Sequence, residues 1–309
     1  MKILVSGATG FLGSALVPVL RDEGHEVWSL SRRPGPQTIV WNPASGSFDP
    51  THLKGFGAVI HLAGENISGR WTEARKRAIH DSRVQGTRTL AEACVRASTP
   101  PSVFVMASAA GIYGSRGDEV LTEESPPGSG FLADVVRDWE AAAAPVDGHP
   151  AIRVVKLRFG VILHPSGGAL KQMLLPFRLG LGGRVGSGRQ WLSWLTRDDA
   201  VRLLARAVTD DSMRGIYNAS TPQPVRNAEF TKALGRALHR PTVFPVPASV
   251  LRLLFGEVAD ETVLASARMM PSRLTAEGFE FQYPEINQAL GHLMGRKSAD
   301  GADDDRRKS

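Results

Sequence analysis

Cysteine is nearly absent: the 309-residue chain has one, Cys94. A single thiol excludes an intrachain disulfide, and its setting in LAEACVRA, among apolar neighbours, is that of a small core hydrophobe. Long apolar runs are missing too. Nothing approaches the roughly eighteen apolar residues of a membrane-spanning helix. The opening MKILVSGATG meets a glycine after a three-residue apolar run, too short for the apolar region of a secretory leader, so a cytoplasmic location is the expectation. Blocks of like charge are also lacking. The net charge is +6, yet the basic residues are scattered as Arg32-Arg33, Arg75-Lys76-Arg77, Arg184, Arg189 and Arg226, which excludes a nucleic-acid tract. No Cys, His or acidic cluster has metal-ligand spacing, so no metal is expected. The expected partner is a small-molecule substrate, with neither nucleic acid nor membrane, and no oligomeric state is specified.

What is present suffices for one large core and a smaller satellite, with 42% hydrophobic and 22% charged residues. Residues 2 to 6 read as a short buried strand running into Gly7. Leu12, Ala15, Leu16, Val19 and Leu20 then recur at helical spacing over 11 to 23, and Pro18 within that helix predicts a slight kink. Further strands are predicted at 26–30, 58–62, 103–107 and 153–157, with helices within 72–96 and 131–144. Strands alternating with helices imply a Rossmann-type, doubly wound parallel α/β sheet. From Pro165 to Arg197 glycine content rises and periodicity weakens, which predicts loops leaving the sheet. The region from Thr242, broken by Pro247, Gly256 and Pro271, reads as a small, mostly helical C-terminal subdomain. The predicted organisation is therefore a Rossmann domain over 1–240 with pocket insertions near 165–195, a subdomain over 241–295 and a disordered tail over 296–309.

The N-terminal turn carries the first functional signal. Gly7, Gly10 and Gly13 are spaced three apart in GATGFLG, after a strand and before a helix. This turn can admit positive φ, let a pyrophosphate approach the backbone N–H groups of Thr9, Gly10, Phe11 and Leu12, and pack its helix tightly on the sheet. An NAD site places an acid near the end of the second strand for the ribose 2′-OH. Here the chain reads Ser31-Arg32-Arg33, a hydroxyl and two guanidinium groups suited to a 2′-phosphate, so the expected cofactor is NADP(H).

These residues, with HLAGENI at 61–67 and SAAGIYG at 108–114, resemble an extended short-chain dehydrogenase/reductase. SRRPG at 31–35, DSRVQGT at 81–87, FLADVVRDWEAAA at 131–143, GSGRQWLSW at 186–194, GEVADE and GFEFQYP narrow the resemblance to the atypical "epimerase family" oxidoreductases with a small C-terminal domain. The resemblance implies cofactor contacts from Ser31, Arg32, Leu62, Ala63 and Arg83. Gly64 at the same strand end would let a cofactor lie across the backbone, and Arg83 could reach a phosphate or a ribose. It also implies that Ser108, ending the fourth strand, contacts cofactor and substrate, and that Tyr113 enters the pocket as a candidate proton donor or as a wall. Glu65, Asn66 and Trp71 on the loop after the third strand, and Trp191, are candidate substrate contacts. Trp194 and the lone His61 and His164 read as packing residues.

One absence bears on the chemistry. Reductases of this superfamily pair a tyrosine with a lysine one helical turn later, which lowers the phenol pKa. Here the only tyrosines are Tyr113, Tyr217 and Tyr283, followed four residues on by Gly117, Thr221 and Asn287. The pair would fall near Phe131 or Leu132 and Val135 or Val136, all apolar. The sequence thus points to an NADP(H)-dependent oxidoreductase acting on a small carbonyl or alcohol. Its rivals are a catalytically silent NADP(H)-binding sensor and, third, a nucleotide-sugar epimerase.

Overall fold

The computed structural model describes residues 1–295. The tail expected to be disordered, 296–309, lies outside the described residues. In chain order the first half contains β1 (Lys2–Ser6), α1 (Gly13–Asp22), β2 (Glu26–Ser31), β3 (Thr38–Val40), β4 (Ala58–His61), α2 (Glu73–Arg96), β5 (Val103–Ala109), β6 (Val120–Leu121), α3 (Phe131–Ala141) and α4 (Ala144–Asp147). There follow β7 (Arg153–Phe159), β8 (Val161–Leu163), α5 (Gly168–Arg178), β9 (Trp191–Leu192), β10 (Trp194–Thr196), α6 (Arg197–Thr209), β11 (Gly215–Ala219), β12 (Val225–Arg226) and α7 (Asn227–Leu238). The C-terminal part comprises α8 (Ala248–Phe255), α9 (Glu257–Glu261), β13 (Arg268–Met269), α10 (Ser272–Ala276) and α11 (Ile286–Leu293).

Seven parallel strands form the main sheet in the order β11-β7-β5-β4-β1-β2-β3. The chain leaves β1 toward β2 and β3, then returns to β4 and proceeds the other way. The order therefore reverses between β1 and β4, and the crevice beyond the carboxyl ends of these strands is where open α/β sheets bind ligands. The doubly wound α/β architecture agrees with the expectation.

Both sheet faces are covered. Leu16 and Leu20 of α1 join Leu203 and Leu204 of α6 on one face, while Leu90 and Cys94 of α2 join Val136 and Trp139 of α3 on the other. Pro18 sits exposed inside α1, which continues through it. An interior proline costs a helix about 3 kcal/mol, and full burial of a leucine returns about 1.5–3 kcal/mol, so Leu16 and Leu20 together offset it.

The segment from Pro165 to Arg197 corrects the expectation of loops. It holds α5 together with β9 and β10. Leu170, Leu174 and Phe177 have helical spacing and are buried in a third cluster with Phe230 and Leu234 of α7. Glycines at both ends of α5, and Pro176 within it, hide that period in the sequence. The C-terminal region is helical as expected, and its apolar residues share the body's cores. Leu274 and Phe279 join the α1 side of the sheet, and Ile286, Ala289 and Leu290 pack with α7.

Among the described residues no helix is long and apolar enough to cross a membrane. No group of three or more potential metal ligands occurs there either.

Candidate functional site

The phosphate turn opens at the switch point. Gly7 has φ +71°, and a Cβ there would stand 3.0 Å from the Ala63 amide nitrogen. The end of β1 and the strand terminus Leu62-Ala63-Gly64 thus touch backbone to backbone. The Gly10 amide donates to the Gly7 carbonyl at 2.9 Å, closing the turn. A Cβ on Gly13 would come within 2.2 Å of that same carbonyl oxygen, so only glycine lets α1 start so close. α1 has no side-chain cap and no acid in its first turn; the Ser14, Ala15 and Leu16 amides donate to the Gly10 and Leu12 carbonyls, so what is left for an anion is the positive end of the helix dipole beside the turn. Thr9 and Gly10 are exposed, and Phe11 and Leu12 half-buried. This uncapped glycine cradle fits a dinucleotide pyrophosphate.

Ser6 fixes the neighbouring strand end. Its Oγ accepts from the Leu62 and Ala63 amides at 3.1 and 3.2 Å and lies 2.6 Å from His61 Nδ1. With its lone pairs so used, Ser6 donates to Nδ1, which leaves the proton of neutral His61 on Nε2. That atom is buried and bonds nothing among the described residues. Burial lowers the His61 pKa to about 4. The unfolded chain, with an ordinary histidine near 6.5, therefore holds more protons than the fold between those values. The stabilisation is complete above about pH 6.5 and is lost as pH falls toward 4, a span of about 3 kcal/mol. In urea unfolding at pH 7 and pH 4.5, His61→Leu should lose less stability on acidification than the wild type; equal losses would refute the assignment.

Ser31, Arg32 and Arg33 follow β2, beside β1 in the sheet. Ser31 Oγ accepts from the Arg33 amide at 3.1 Å, while both arginines are exposed and neither is ion-paired among the described residues. Arg83 on α2 lies behind Gly64. Its Nη1 donates to the carbonyls of Glu65 and Ile79 at 3.0 Å, and its guanidinium stands 5.2 Å from the Trp139 ring centroid. Burial brings its pKa down to about 10, against the opposing charge of Glu65. The turn, Leu62-Ala63-Gly64 and Arg83 are thus brought together at the β1–β4 crevice, with Arg32 and Arg33 at the adjacent strand end.

Ser108 and Tyr113 have less freedom than the sequence implies. Ser108 is buried and donates to Glu140 Oε1 at 2.5 Å. Arg158 of β7 forks the same carboxylate from Nε and Nη2 at 2.8 and 2.7 Å. Tyr113 is completely buried, with its hydroxyl accepting from Arg158 Nη1 at 2.9 Å and facing Asn218 Oδ1 at 2.7 Å and the Thr122 carbonyl at 2.9 Å. Burial pushes the phenol pKa upward, and the charge of Arg158 only partly opposes it. Burial also works against the charge of Arg158, but its bonds to Glu140 outweigh this and hold its pKa above the ordinary value. The phenol is thereby spent inside the fold, and the group joined to Ser108 is Glu140. Glu140, Arg158 and Asn218 were not singled out from the sequence. The one local hint was Lys156 and Arg158 set in the otherwise apolar strand RVVKLRF. On α3, Leu132 and Val136 are the side chains nearest Gly111, and the places expected for a tyrosine–lysine pair, near Phe131 or Leu132 and Val135 or Val136, hold apolar residues.

The candidate substrate contacts divide. Glu65 pairs with Arg75 at 2.7 Å, and Asn66 accepts from the Ser68 amide at 2.8 Å, so both brace their own loop. Trp71 packs edge-on against Phe131, centroids 4.9 Å apart, and brings that loop to the start of α3. There Glu261 of α9 accepts from the Phe131 and Leu132 amides at 3.2 Å. Trp191 lies between the guanidinium groups of Arg226 and Arg268, 4.5 and 4.6 Å from its ring, and donates to Asp118 at 2.9 Å. Trp194 is fully buried.

Comparison with known proteins matches this geometry. Residues 3–220 fit the model of the NAD dependent epimerase/dehydratase family, and residues 246–293 fit a Domain of unknown function (DUF1731). Epimerase family protein Mb2239 of Mycobacterium bovis is 42% identical over 297 residues, covering 95% of this chain and 98% of that protein. The crystal structure of human epimerase family protein SDR39U1 (isoform 2) with NADPH superposes with a TM-score of 0.89 at 36% identity, covering 95% of this chain and 99% of that one. A nucleoside-diphosphate sugar epimerase from Corynebacterium glutamicum gives 0.80 at 36% identity, covering 97% of this chain and 59% of that one. The chain therefore belongs to the NAD dependent epimerase/dehydratase family, in the epimerase-family branch of atypical extended short-chain dehydrogenases/reductases that carries a C-terminal DUF1731 domain.

Proposed function

We propose that the protein binds NADP(H) across the β1–β4 crevice and interconverts a small alcohol and its carbonyl, with Ser108 and Glu140 handling the proton. The observation that carries this reading is the uncapped glycine cradle beside two exposed arginines that are unpaired among the described residues, where an NAD site would present an acid. The human relative crystallised with NADPH supports the same choice of cofactor. Gly7, Thr9, Gly10, Phe11, Leu12 and Gly13 would hold the pyrophosphate, Ser31, Arg32 and Arg33 the 2′-phosphate, and Leu62, Ala63, Gly64 and Arg83 the central riboses. When bound, the cofactor accepts or returns the hydride of the substrate's carbinol carbon.

The Ser108 hydroxyl gives its one hydrogen to Glu140. Its lone pairs can therefore only accept, and the substrate group they suit is an O–H. In oxidation the alcohol proton passes to Ser108 Oγ as the serine's own proton moves to Glu140; in reduction both return. Arg158 holds the Glu140 carboxylate in place through two hydrogen bonds, which fixes the partner that the Ser108 proton reaches. A sugar-epimerase reading gains nothing here, because the positions near Phe131 or Leu132 and Val135 or Val136, where a tyrosine–lysine pair would fall, are all apolar.

Fluorescence titration tests the cofactor. The wild type should prefer NADPH over NADH by about tenfold or more, and Arg32→Ala should remove most of the preference. Equal affinities in the wild type would refute it. Nicotinamide absorbance with an alcohol and carbonyl panel tests the chemistry, where Ser108→Ala should lower turnover by about a hundredfold. Tight NADPH binding with no turnover on any substrate would instead make this a silent NADP(H)-binding protein.

A further inference from the structure

Arg197, the first residue of α6, is a cation without a counter-charge. Among the described residues no carboxylate lies within ion-pair distance of it, and its Nε is buried with no partner. Its other nitrogens meet neutral groups, His164 Nε2 at 2.9 Å and Ser166 Oγ at 3.2 Å. A guanidinium can only donate, so His164 accepts at Nε2, and burial, reinforced by the charge of Arg197, holds its pKa below the ordinary value. The buried Arg158, by contrast, rests on Glu140.

This guanidinium faces the phosphate turn. It stands 5.7 Å from the ring centroid of Phe11, whose other neighbours are His164, centroids 6.4 Å apart, and the glycines that begin α5. A Cβ on Gly167 would come within 2.5 Å of the Phe11 ring, so the α5 terminus approaches it as closely as a backbone can. α5 has neither a side-chain cap nor an acid in its first turn, and the same holds for α1. Two uncompensated helix N-termini and an unpaired guanidinium therefore gather about one side chain of the turn.

We propose that Arg197, backed by the first-turn amides of α5, forms a second wall of the phosphate site, opposite the turn, and binds the pyrophosphate of the dinucleotide. The inference rests on the cofactor reading above. It assigns His164 and Ser166 a positioning role: they hold the guanidinium by neutral contacts and leave its charge for the ligand. A diphosphate bridging the two walls would supply the missing counter-charge. A phosphorylated substrate offers the same chemistry and is separated from the cofactor by the choice of probes.

Isothermal titration of the full chain with NADPH, inorganic pyrophosphate and adenosine 2′-monophosphate tests the assignment. Arg197→Ala should weaken NADPH and pyrophosphate by about tenfold or more, and Arg197→Lys should restore much of the loss. Adenosine 2′-monophosphate, which lacks the 5′-phosphates, should bind the variant and the wild type alike, reporting an intact fold. Unchanged NADPH and pyrophosphate affinities in Arg197→Ala would overturn the proposal, even with NADPH binding intact. If the wild type binds pyrophosphate through Arg197 but not NADPH, the cofactor reading fails while the anion site stands and belongs to a substrate phosphate. Binding of neither probe by the wild type would overturn both.

Discussion

Arg158→Met should destabilise the protein by about 3–5 kcal/mol, because it strands the Glu140 carboxylate in the interior with only Ser108 to bond its oxygens. Whole domains are stable by about 5–15 kcal/mol, so this one change removes a large share of the total. At about 2–4 °C per kcal/mol for a chain of this order, the melting temperature should fall by roughly 10 °C. The double variant Glu140→Met, Arg158→Met removes both charges and should recover much of the loss, since a buried ion pair contributes little net stability over apolar replacements. Thermal unfolding monitored by circular dichroism distinguishes the outcomes. An unshifted single variant, or a double variant no better than the single, would show that the pair is not the buried, desolvated contact described.

Gly13→Ala should lower NADPH affinity by about a hundredfold or more. The added methyl would stand 2.2 Å from the Gly7 carbonyl oxygen and 2.7 Å from Ala8 Cα, both backbone atoms that can move only if the turn is rebuilt. Overpacking of this kind costs about 1–3 kcal/mol in stability. The displacement falls on the amides of the cradle, so binding should suffer more than folding. Gly148→Ala is the matched control, because its Cβ would meet nothing within 4 Å and its φ is −91°. A Gly13→Ala protein that binds NADPH like the Gly148→Ala protein would remove the turn from the cofactor site.

Both variants probe features of very different visibility. Gly13 stands out in the sequence because its signal is local: a strand, three glycines and an amphipathic helix follow one another within a few residues, and each has its own period or spacing. The same locality exposed the missing acid after β2 and the missing tyrosine–lysine pair. The charge of Arg158 inside an apolar strand was the only hint of it; its pairing was invisible, because its partners Glu140 and Tyr113 lie 18 and 45 residues away and meet it only across the β5–β7 edge of the sheet. Helix α5 was mistaken for loops for a related reason. Its three buried apolar positions declare themselves only against α7, some fifty residues on, while its bounding glycines and Pro176 carry the stronger local signal.

Tyr113 shows most clearly where the division falls. From the motif SAAGIYG it stands five residues beyond Ser108 on a loop toward the pocket, with a hydroxyl available for proton transfer. The fold turns that hydroxyl inward to Arg158, Asn218 and Thr122, and gives Ser108 a carboxylate neighbour instead. The sequence by itself determined that β1 feeds a glycine turn able to hold a pyrophosphate, that the strand order is built from repeated βα units, and that arginines stand where an NAD site has an acid. Only the tertiary structure decided which polar groups are spent on one another and which remain for a ligand. Backbone periodicity is set by nearest neighbours along the chain, whereas the pairing of a buried charge is set by whichever distant residue the packing brings within about 3 Å of it.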